Sequence, residues 1–251
     1  MPTPLGNLAD LSPRAARVLA AADCIACEDT RRTGLLLHLT GLPKRPLVVV
    51  EAHREAGAID GLIERLRAGG RIALVSDGGT PCLSDPGRKL VAAAAAAGVG
   101  VISLPGPSAV TAAFAASGFA APFTFHGFLA RKGRDRACVL ETIAARAEET
   151  AILFESPFRL AALLKELAED VRWTERPLVL AQEISKIHET WHRGSAAQLL
   201  ARLQARAAIK GEWTVLIGPA PRAGGASAAE DADEAGEPGT ADPAAPEATA
   251  G

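Results

Sequence analysis

Apolar positions fall into two alternating periods along the first 220 residues. The runs "CIAC" (24–27), "PLVVV" (46–50), "RIALVS" (71–76) and "GVISL" (100–104) are short, nearly continuous and rich in β-branched residues, and they predict buried strands. Between them "AIDGLIERLRAG" and "GRKLVAAAAAAG" space their apolar residues as helices do, and each closes on glycine. After a break near "ASGFAAPF" (116–123) a second series follows. It runs strand "TFHGFL", helix "DRACVLETIAARAEE", strand "TAILFE" and helix "PFRLAALLKELAEDV", then strand "PLVLAQEI", helix "AAQLLARLQARA" and closing strand "EWTVLIG". Strands alternating with helices predict an α/β protein with mostly parallel sheets. The break divides it into two α/β domains, about 1–117 and 122–219, and no internal repeat relates them. "PTPLGN" near the start has the composition of a loop after a strand, although no strand precedes it.

Composition changes this picture mainly at the end of the chain. The protein has 251 residues, 48% hydrophobic and 22% charged, enough for real cores. Of its 27 basic and 29 acidic groups, one arginine and seven acids fall after Pro221. Residues 220–251 are otherwise alanine, glycine, proline and small polar residues, which predicts a disordered acidic tail. Removing it turns a net charge of -2 into +4, an excess that permits a nucleic-acid partner without requiring one. No apolar run reaches the roughly 18 residues of a membrane span. The first residues lack the basic-then-apolar pattern of a signal peptide, so a cytoplasmic protein is expected. Cys24 and Cys27 form a C-x-x-C, but no second ligand pair follows at zinc spacing. On a strand, positions three apart face opposite ways, so the pair predicts buried thiols and no metal.

The candidate chemistry sits where strands end. Ligands of open parallel sheets bind beyond the carboxyl ends of the strands. That rule selects "TPLGN" (3–7), "CEDTRR" (27–32), "SDGGTP" (76–81) and "LPGPSA" (104–109). Glycine and proline can shape any one of these as a tight turn, but four at one edge predict a ligand cleft. Neither the phosphate-cradling G-x-x-x-x-G-K-[ST] nor a G-x-G-x-x-G fingerprint occurs. In "SDGGTP" an acid leads and proline interrupts the helix start that would face a pyrophosphate. An acid beside bare backbone suits a cationic or hydroxyl-bearing ligand, and S-adenosylmethionine fits that description.

"TPLGNLAD", "ACEDTRRT", "LVSDGGTPCLSDPG", "LPGPSA", "GFLARK", "FESPFRL" and "GEWTVLIG" follow one another in a characteristic order. Across residues 2–218 the chain resembles the ribosomal RNA methyltransferase branch of the tetrapyrrole methylase superfamily. The resemblance implies two-domain α/β homodimers with S-adenosylmethionine in the cleft between the domains. It implies 2′-O-methylation of a cytidine ribose in the decoding region of 16S rRNA of the small ribosomal subunit. Matched position by position, Pro4, Leu5, Gly6, Asp77, Gly78, Gly79, Thr80, Ser108 and Ala109 fall on cofactor loops, and Phe154 and Glu155 on a strand end lining the cleft. Relatives carry a short strand before "TPLGN"; its absence leads us to expect a late-assigned start codon or a clipped edge. Glu51 replaces a family histidine beside His53 and Glu55, and Gln182 and Ile187 replace basic residues.

A ribose hydroxyl reacts faster when a nearby base takes its proton. Glu28, Asp29, His53, Glu155 and Glu183 are candidates, and the sequence singles out none. Glu28 and Asp29 suit helix capping as well as catalysis. For RNA phosphates the candidates are Arg31, Arg32, Arg131, Lys132, Arg134, Arg136 and Lys186, densest in "ARKGRDR". With no tyrosine in the chain, RNA shape and backbone outweigh base stacking. A tetrapyrrole or other small acceptor, or a catalytically silent RNA-binding assembly factor, remain the competing readings. Because residues 222–251 offer no apolar pattern to pack, truncation after Pro221 is expected to leave the melting temperature unchanged. A large fall in melting temperature would refute that reading.

Overall fold

A computed structural model describes residues 1–50 and 55–221 of the chain. Glu51, His53 and the tail from residue 222 lie outside the described residues. Helix α1 (Pro13–Ala21) begins where the Ser12 hydroxyl accepts from the Ala15 amide at 3.1 Å, with Pro13 in the first turn, where no N–H is required. Strand β1 (Cys24–Cys27) follows, then helix α2 (Thr30–Leu39), capped by Asp29, which accepts from the Arg31 amide at 2.8 Å. Strand β2 (Leu47–Val49), helix α3 (Glu55–Arg67), strand β3 (Ile72–Leu74) and helix α4 (Arg88–Ala96) complete a three-layered half. Its sheet is parallel and ordered β2-β1-β3. As the middle strand, β1 is buried on both faces. Cys24 and Ala26 pack with Ile59, Leu62 and Leu90 from α3 and α4. Ile25 and Cys27 pack with Leu19 and Leu37 from α1 and α2. The two cysteines are free, buried thiols on opposite faces, as their spacing predicts, and burial pushes both above the ordinary thiol pKa.

The second sheet is built from strand β4 (Phe123–Phe128), strand β5 (Thr150–Glu155), strand β6 (Leu178–Gln182), strand β7 (Thr190–Gly194) and strand β8 (Trp213–Ile217). Helices α6 (Arg134–Ala145), α7 (Pro157–Glu169) and α8 (Ala196–Gln204) intervene. One face packs Leu153, Leu180 and Val215 against Leu160, Leu163 and Leu167 of α7 and Leu199 of α8. The other packs Ile152, Val179 and Leu216 against Val110 and Ala113 of helix α5 (Ala109–Ser117). Thus α5, which follows the "LPGPSA" turn of the first half, covers the second sheet.

The structure departs from the sequence expectation in three places. "GVISL" forms no strand, and Val101 and Ile102 are exposed. β-Branched residues become a strand only beside a partner that supplies the ladder, and among the described residues none flanks this run. The second sheet is mixed and not mostly parallel: its order is β4-β5-β8-β6-β7, and of its neighbouring pairs only β4 with β5 is parallel. The connection from β6 to β7 is far shorter than the dozen or more residues of a parallel crossover, so the chain reverses. β7 itself, "TWHRG", was not among the expected strands; it exists because β6 offers it an edge. At the other end of the chain, Thr3 forms an isolated antiparallel bridge to Gly79, two N–H···O bonds of 2.9 Å.

One buried charge fastens the second half. Arg176, 2% exposed, donates to the carbonyls of Gly218 at 2.7 Å, Ile143 at 3.0 Å and Glu149 at 2.8 Å. Its guanidinium also lies 5.5 Å from the Trp173 ring centroid. These carbonyls terminate β8, α6 and the turn before β5, so one fork joins three chain segments. Arg176→Ala orphans three acceptors, each worth roughly 1–3 kcal/mol. A loss of at least about 3 kcal/mol in denaturant unfolding is expected, only partly restored by Arg176→Lys. An Ala variant within 1 kcal/mol of wild type would overturn this account.

Candidate functional site

The loop after β3 is the hub of the site. Val75 continues the apolar run in a buried position, after which Ser76 turns inward and Asp77 faces the opening. Gly79 takes φ 82°, a backbone angle that side chains disfavour, and this brings it alongside Thr3. Thr3 also donates its hydroxyl to the Ser76 carbonyl at 3.0 Å, which seats "TPLGN" on "SDGGTP". Asp77 Oδ1 accepts from the Asp29 amide at 3.2 Å, and Oδ2 stands 3.4 Å from Arg32 Nε, which seats "CEDTRR". Thr80 donates to the Pro107 carbonyl at 3.0 Å, which seats "LPGPSA". All four loops selected by the strand-end rule are therefore joined through residues 76–80.

The opposite wall comes from the second sheet. Register pairs Glu155 with Trp213 and Phe154 with Thr214, so the carboxyl end of β5 and the start of β8 share one edge. Phe154 packs edge-on against Phe125, with centroids 4.9 Å apart, and tilts against Phe128 at 5.6 Å. Between the walls lies a cleft of about 660 Å³. It includes Ile184 from the loop after β6, whose neighbour Lys186 crosses to Gly6; a Cβ on Gly6 would stand 2.3 Å from Lys186 Cγ. Only glycine admits that approach.

Carboxylates dominate the cleft, and their environments differ. Asp29 is gripped by Arg31 at 2.6 Å, and that hydrogen bond holds its carboxyl down at about 2. Glu155 is buried with a side-chain exposure of 0%; Oε1 takes the Arg159 guanidinium and the Ser156 amide, both at 2.7 Å, while Oε2 is buried with no partner. Glu212 meets Lys186 at 3.1 Å, and so does Glu183. For Glu183 burial opposes the charge, but the Glu212 amide and Lys186 prevail and its carboxyl falls below the usual range. Glu28 is raised, first by burial and then by the charge of Asp77. Asp85 is pushed up to about 6, first by burial and then by Glu28.

Of the cofactor candidates, Leu5, Asp77, Gly78, Ala109 and Phe154 line the cleft, whereas Pro4, Gly6, Gly79, Thr80 and Ser108 belong to the same loops one layer back. The catalytic candidates Glu28, Asp29 and Glu155 all line it. Arg31 and Arg32 stand at its rim, with side chains 89% and 63% exposed. Arg131, Lys132 and Arg134 are exposed outside the cleft. Arg136 is paired with Glu166 at 2.6 Å, and Lys186 bridges Glu183 and Glu212. Residues not anticipated are Ser84 and Asp85 on one wall, and Ser156, Pro157 and Gly211 through Thr214 on the other. Asp85 had a signal, since "SDGG" and "SDPG" repeat an acid before a glycine turn eight residues apart. Among the described residues no group of His, Cys, Asp and Glu could hold a metal ion, and no helix is long and apolar enough to cross a membrane.

Comparison with known proteins meets this geometry from the other side. Residues 2–200 match the family model of tetrapyrrole (corrin/porphyrin) methylases. A ribosomal RNA small subunit methyltransferase I of Synechocystis is 43% identical over 216 residues, covering 86% of this chain and 76% of that protein. Its counterpart from Escherichia coli O157:H7 is 43% identical over 202 residues, covering 80% of this chain and 70% of that one. Among solved structures, a diphthine synthase superposes with a TM-score of 0.66 at 16% identity, covering 86% and 87% of the two chains. A uroporphyrin-III C-methyltransferase of Thermus thermophilus, complexed with S-adenyl homocysteine, gives 0.57 at 20% identity, covering 84% and 93%. Those structures speak to the fold, while the family model covers residues 2–200 and the two relatives cover 80–86% of the chain. The chain belongs to the tetrapyrrole (corrin/porphyrin) methylase family.

Proposed function

We propose that this protein transfers a methyl group from S-adenosylmethionine to the 2′-hydroxyl of a cytidine in 16S rRNA of the small ribosomal subunit. It does so as a cytoplasmic homodimer whose two α/β domains flank the donor. The observation that carries this reading is 43% identity, across most of the chain, to proteins named for small-subunit ribosomal RNA methylation. The cleft agrees with it. Its volume falls within the roughly 300–1,000 Å³ usual for small ligands. The loops that wall it offer acids and open backbone where a phosphate site would offer lysine and a helix start.

Leu5, Asp77, Gly78 and Ala109 would hold the donor on one side, and Phe154 on the other, with Pro4, Gly6, Gly79, Thr80 and Ser108 fixing the loops behind them. Glu155 Oε2, buried and unpartnered, is an acceptor suited to an N–H or O–H of a bound ligand. When bound, S-adenosylmethionine supplies a methyl group already activated by its sulfonium. The residues around it then need to align an acceptor oxygen, exclude water and accept a proton. Arg31 and Arg32 at the rim, with Arg131, Lys132 and Arg134 beyond it, meet the RNA backbone.

Asp77→Ala removes an acceptor at the hub and is expected to weaken S-adenosylmethionine binding about 10- to 100-fold, the worth of one hydrogen bond to a charged group. Calorimetric titration measures it, and an unchanged affinity in a folded variant would remove Asp77 from the donor site.

The triple variant Arg131→Ala, Lys132→Ala, Arg134→Ala tests the RNA partner. Each lost phosphate contact lowers the log–log salt slope of binding by roughly 0.7 to 0.9. Small-subunit RNA binding should weaken and flatten with salt, while donor affinity stays unchanged. Coincident slopes for wild type and variant would strip this segment of its RNA role. A wild-type protein that methylates porphyrinoid acceptors and not small subunits would replace the proposed substrate altogether.

A further inference from the structure

We propose that Asp85 is the proton acceptor for the ribose hydroxyl, an inference that rests on the methyl-transfer reading above. The argument begins with what the other carboxylates of the cleft are doing. At the end of β1, Asp29 is tied to Arg31. At the end of β3, Asp77 is tied to Arg32 and to the Asp29 amide. At the end of β5, Glu155 is tied to Arg159, and before β8, Glu212 is tied to Lys186. Among the described residues Glu28 forms no ion pair, but Arg32 acts against its rise. Among the described residues no cation pairs with Asp85. Glu28, Asp77 and Glu212 line the same cleft and their charges raise its carboxyl, while the Ser76 hydroxyl acts against that rise.

Its backbone setting is equally distinct. Asp85 sits in the bend from Pro81 to Gly87, where Cys82 takes φ 71° and Ser84 φ 61°, angles rarely adopted by residues with side chains. Such strain persists where the surroundings impose it, and it gathers at functional sites. Here the bend is wedged against the second half: a Cβ on Gly127 would stand 2.6 Å from Ser84 Oγ. Both Ser84 and Asp85 line the cleft. A carboxyl at about 6 is the weak acid that proton transfer near neutrality calls for, whereas a cation-paired carboxylate is a poorer base.

The step balances as follows. The 2′ oxygen bonds to the methyl carbon while the carbon–sulfur bond breaks, its electron pair staying on sulfur and neutralising the sulfonium. The hydroxyl proton passes to an Asp85 carboxylate oxygen and then to water. Glu28 acts through Asp85, since its negative charge raises the neighbour's proton affinity.

The test measures kcat and kcat/KM against pH for small-subunit methylation, together with S-adenosylmethionine affinity and the carboxyl ¹³C titration of aspartate-labelled, ligand-free protein. In wild type, kcat/KM rises with pH through an inflection near 6 and levels above it, because the base must be deprotonated. Asp85→Asn lowers kcat by about 100-fold or more and removes the rise, while S-adenosylmethionine still binds. Asp85→Glu restores part of the rate. Glu28→Gln shifts both the kinetic inflection and the Asp85 resonance to lower pH, which a purely structural role for Asp85 would not produce. An active wild type whose Asp85→Asn variant keeps its rate and pH profile overturns the inference alone. A wild type that transfers no methyl group to the small subunit overturns the reading beneath it as well. Should Asp85→Asn fail to fold, an unshifted Glu28→Gln profile is sufficient to reject the assignment.

Discussion

The site depends on the carboxylate of Asp77. Three strands of the first half end at the same edge, but parallel strands give their loops no reason to stay together, because each loop leaves for a different helix. Asp77 supplies that reason by accepting from the backbone of one neighbouring loop and pairing with its arginine. The residues on either side of it hold the others, Ser76 and Gly79 gripping Thr3 and Thr80 gripping Pro107. Four turns rich in glycine and proline are thereby converted into one wall. The Thr3–Gly79 bridge joins backbone to backbone, whereas the other ties depend on the side chains of Thr3, Asp77 and Thr80.

Against this wall stands a sheet of a different kind. In β8 every residue is buried, and antiparallel neighbours on both sides hold it. The strand ends that face the cleft are therefore the least movable part of the second half, braced behind by Arg176 and the leucines of α7. Helix α5 carries the first half's last loop directly onto that sheet, so the two walls are coupled through packed apolar side chains. Lys186 adds a polar tie at the mouth, its stem lying over Gly6 and its ammonium between Glu183 and Glu212.

How much of this could be read from the chain follows from what each signal measures. Period and composition report local burial, so β1, β5, β8 and the helices α4, α7 and α8 were legible, and so were the turns that hold the cleft. Strand partnership is not local. "GVISL" has the composition of a strand and no ladder, whereas "TWHRG" has a modest composition and a ready edge on β6. The mixed direction of the second sheet was hidden for the same reason, since direction is set by the length of the connection and by which edge is vacant. Within the site, motif matching found the loops but not the tertiary partners. Nothing in the local sequence says that Arg136 will meet Glu166, thirty residues on, or that Lys186 will be held by two glutamates. In sequence, Asp85 stands in a stretch, "SDPG", with the composition of a turn. Its chemistry comes from burial beside Glu28, which only the folded chain supplies.

The charge of the cleft contains a tension that its layout resolves. An excess of acids attracts a cationic donor and raises the proton affinity of any carboxylate lacking a partner, but it repels a polyanionic acceptor. Here the acids are graded. Those nearest the rim are matched with exposed guanidiniums, Asp29 with Arg31 and Asp77 with Arg32, so the entrance is close to neutral or basic. Glu28 and Asp85, which form no ion pair among the described residues, lie further in, where water is partly excluded and a Coulomb interaction weakens less. Rim pairs are screened by salt on the scale of a Debye length, roughly 8–10 Å, whereas the half-buried inner pair is screened less. On the methyl-transfer reading, ionic strength therefore acts on capture of the RNA at the rim and leaves the proton chemistry within the cleft nearly untouched.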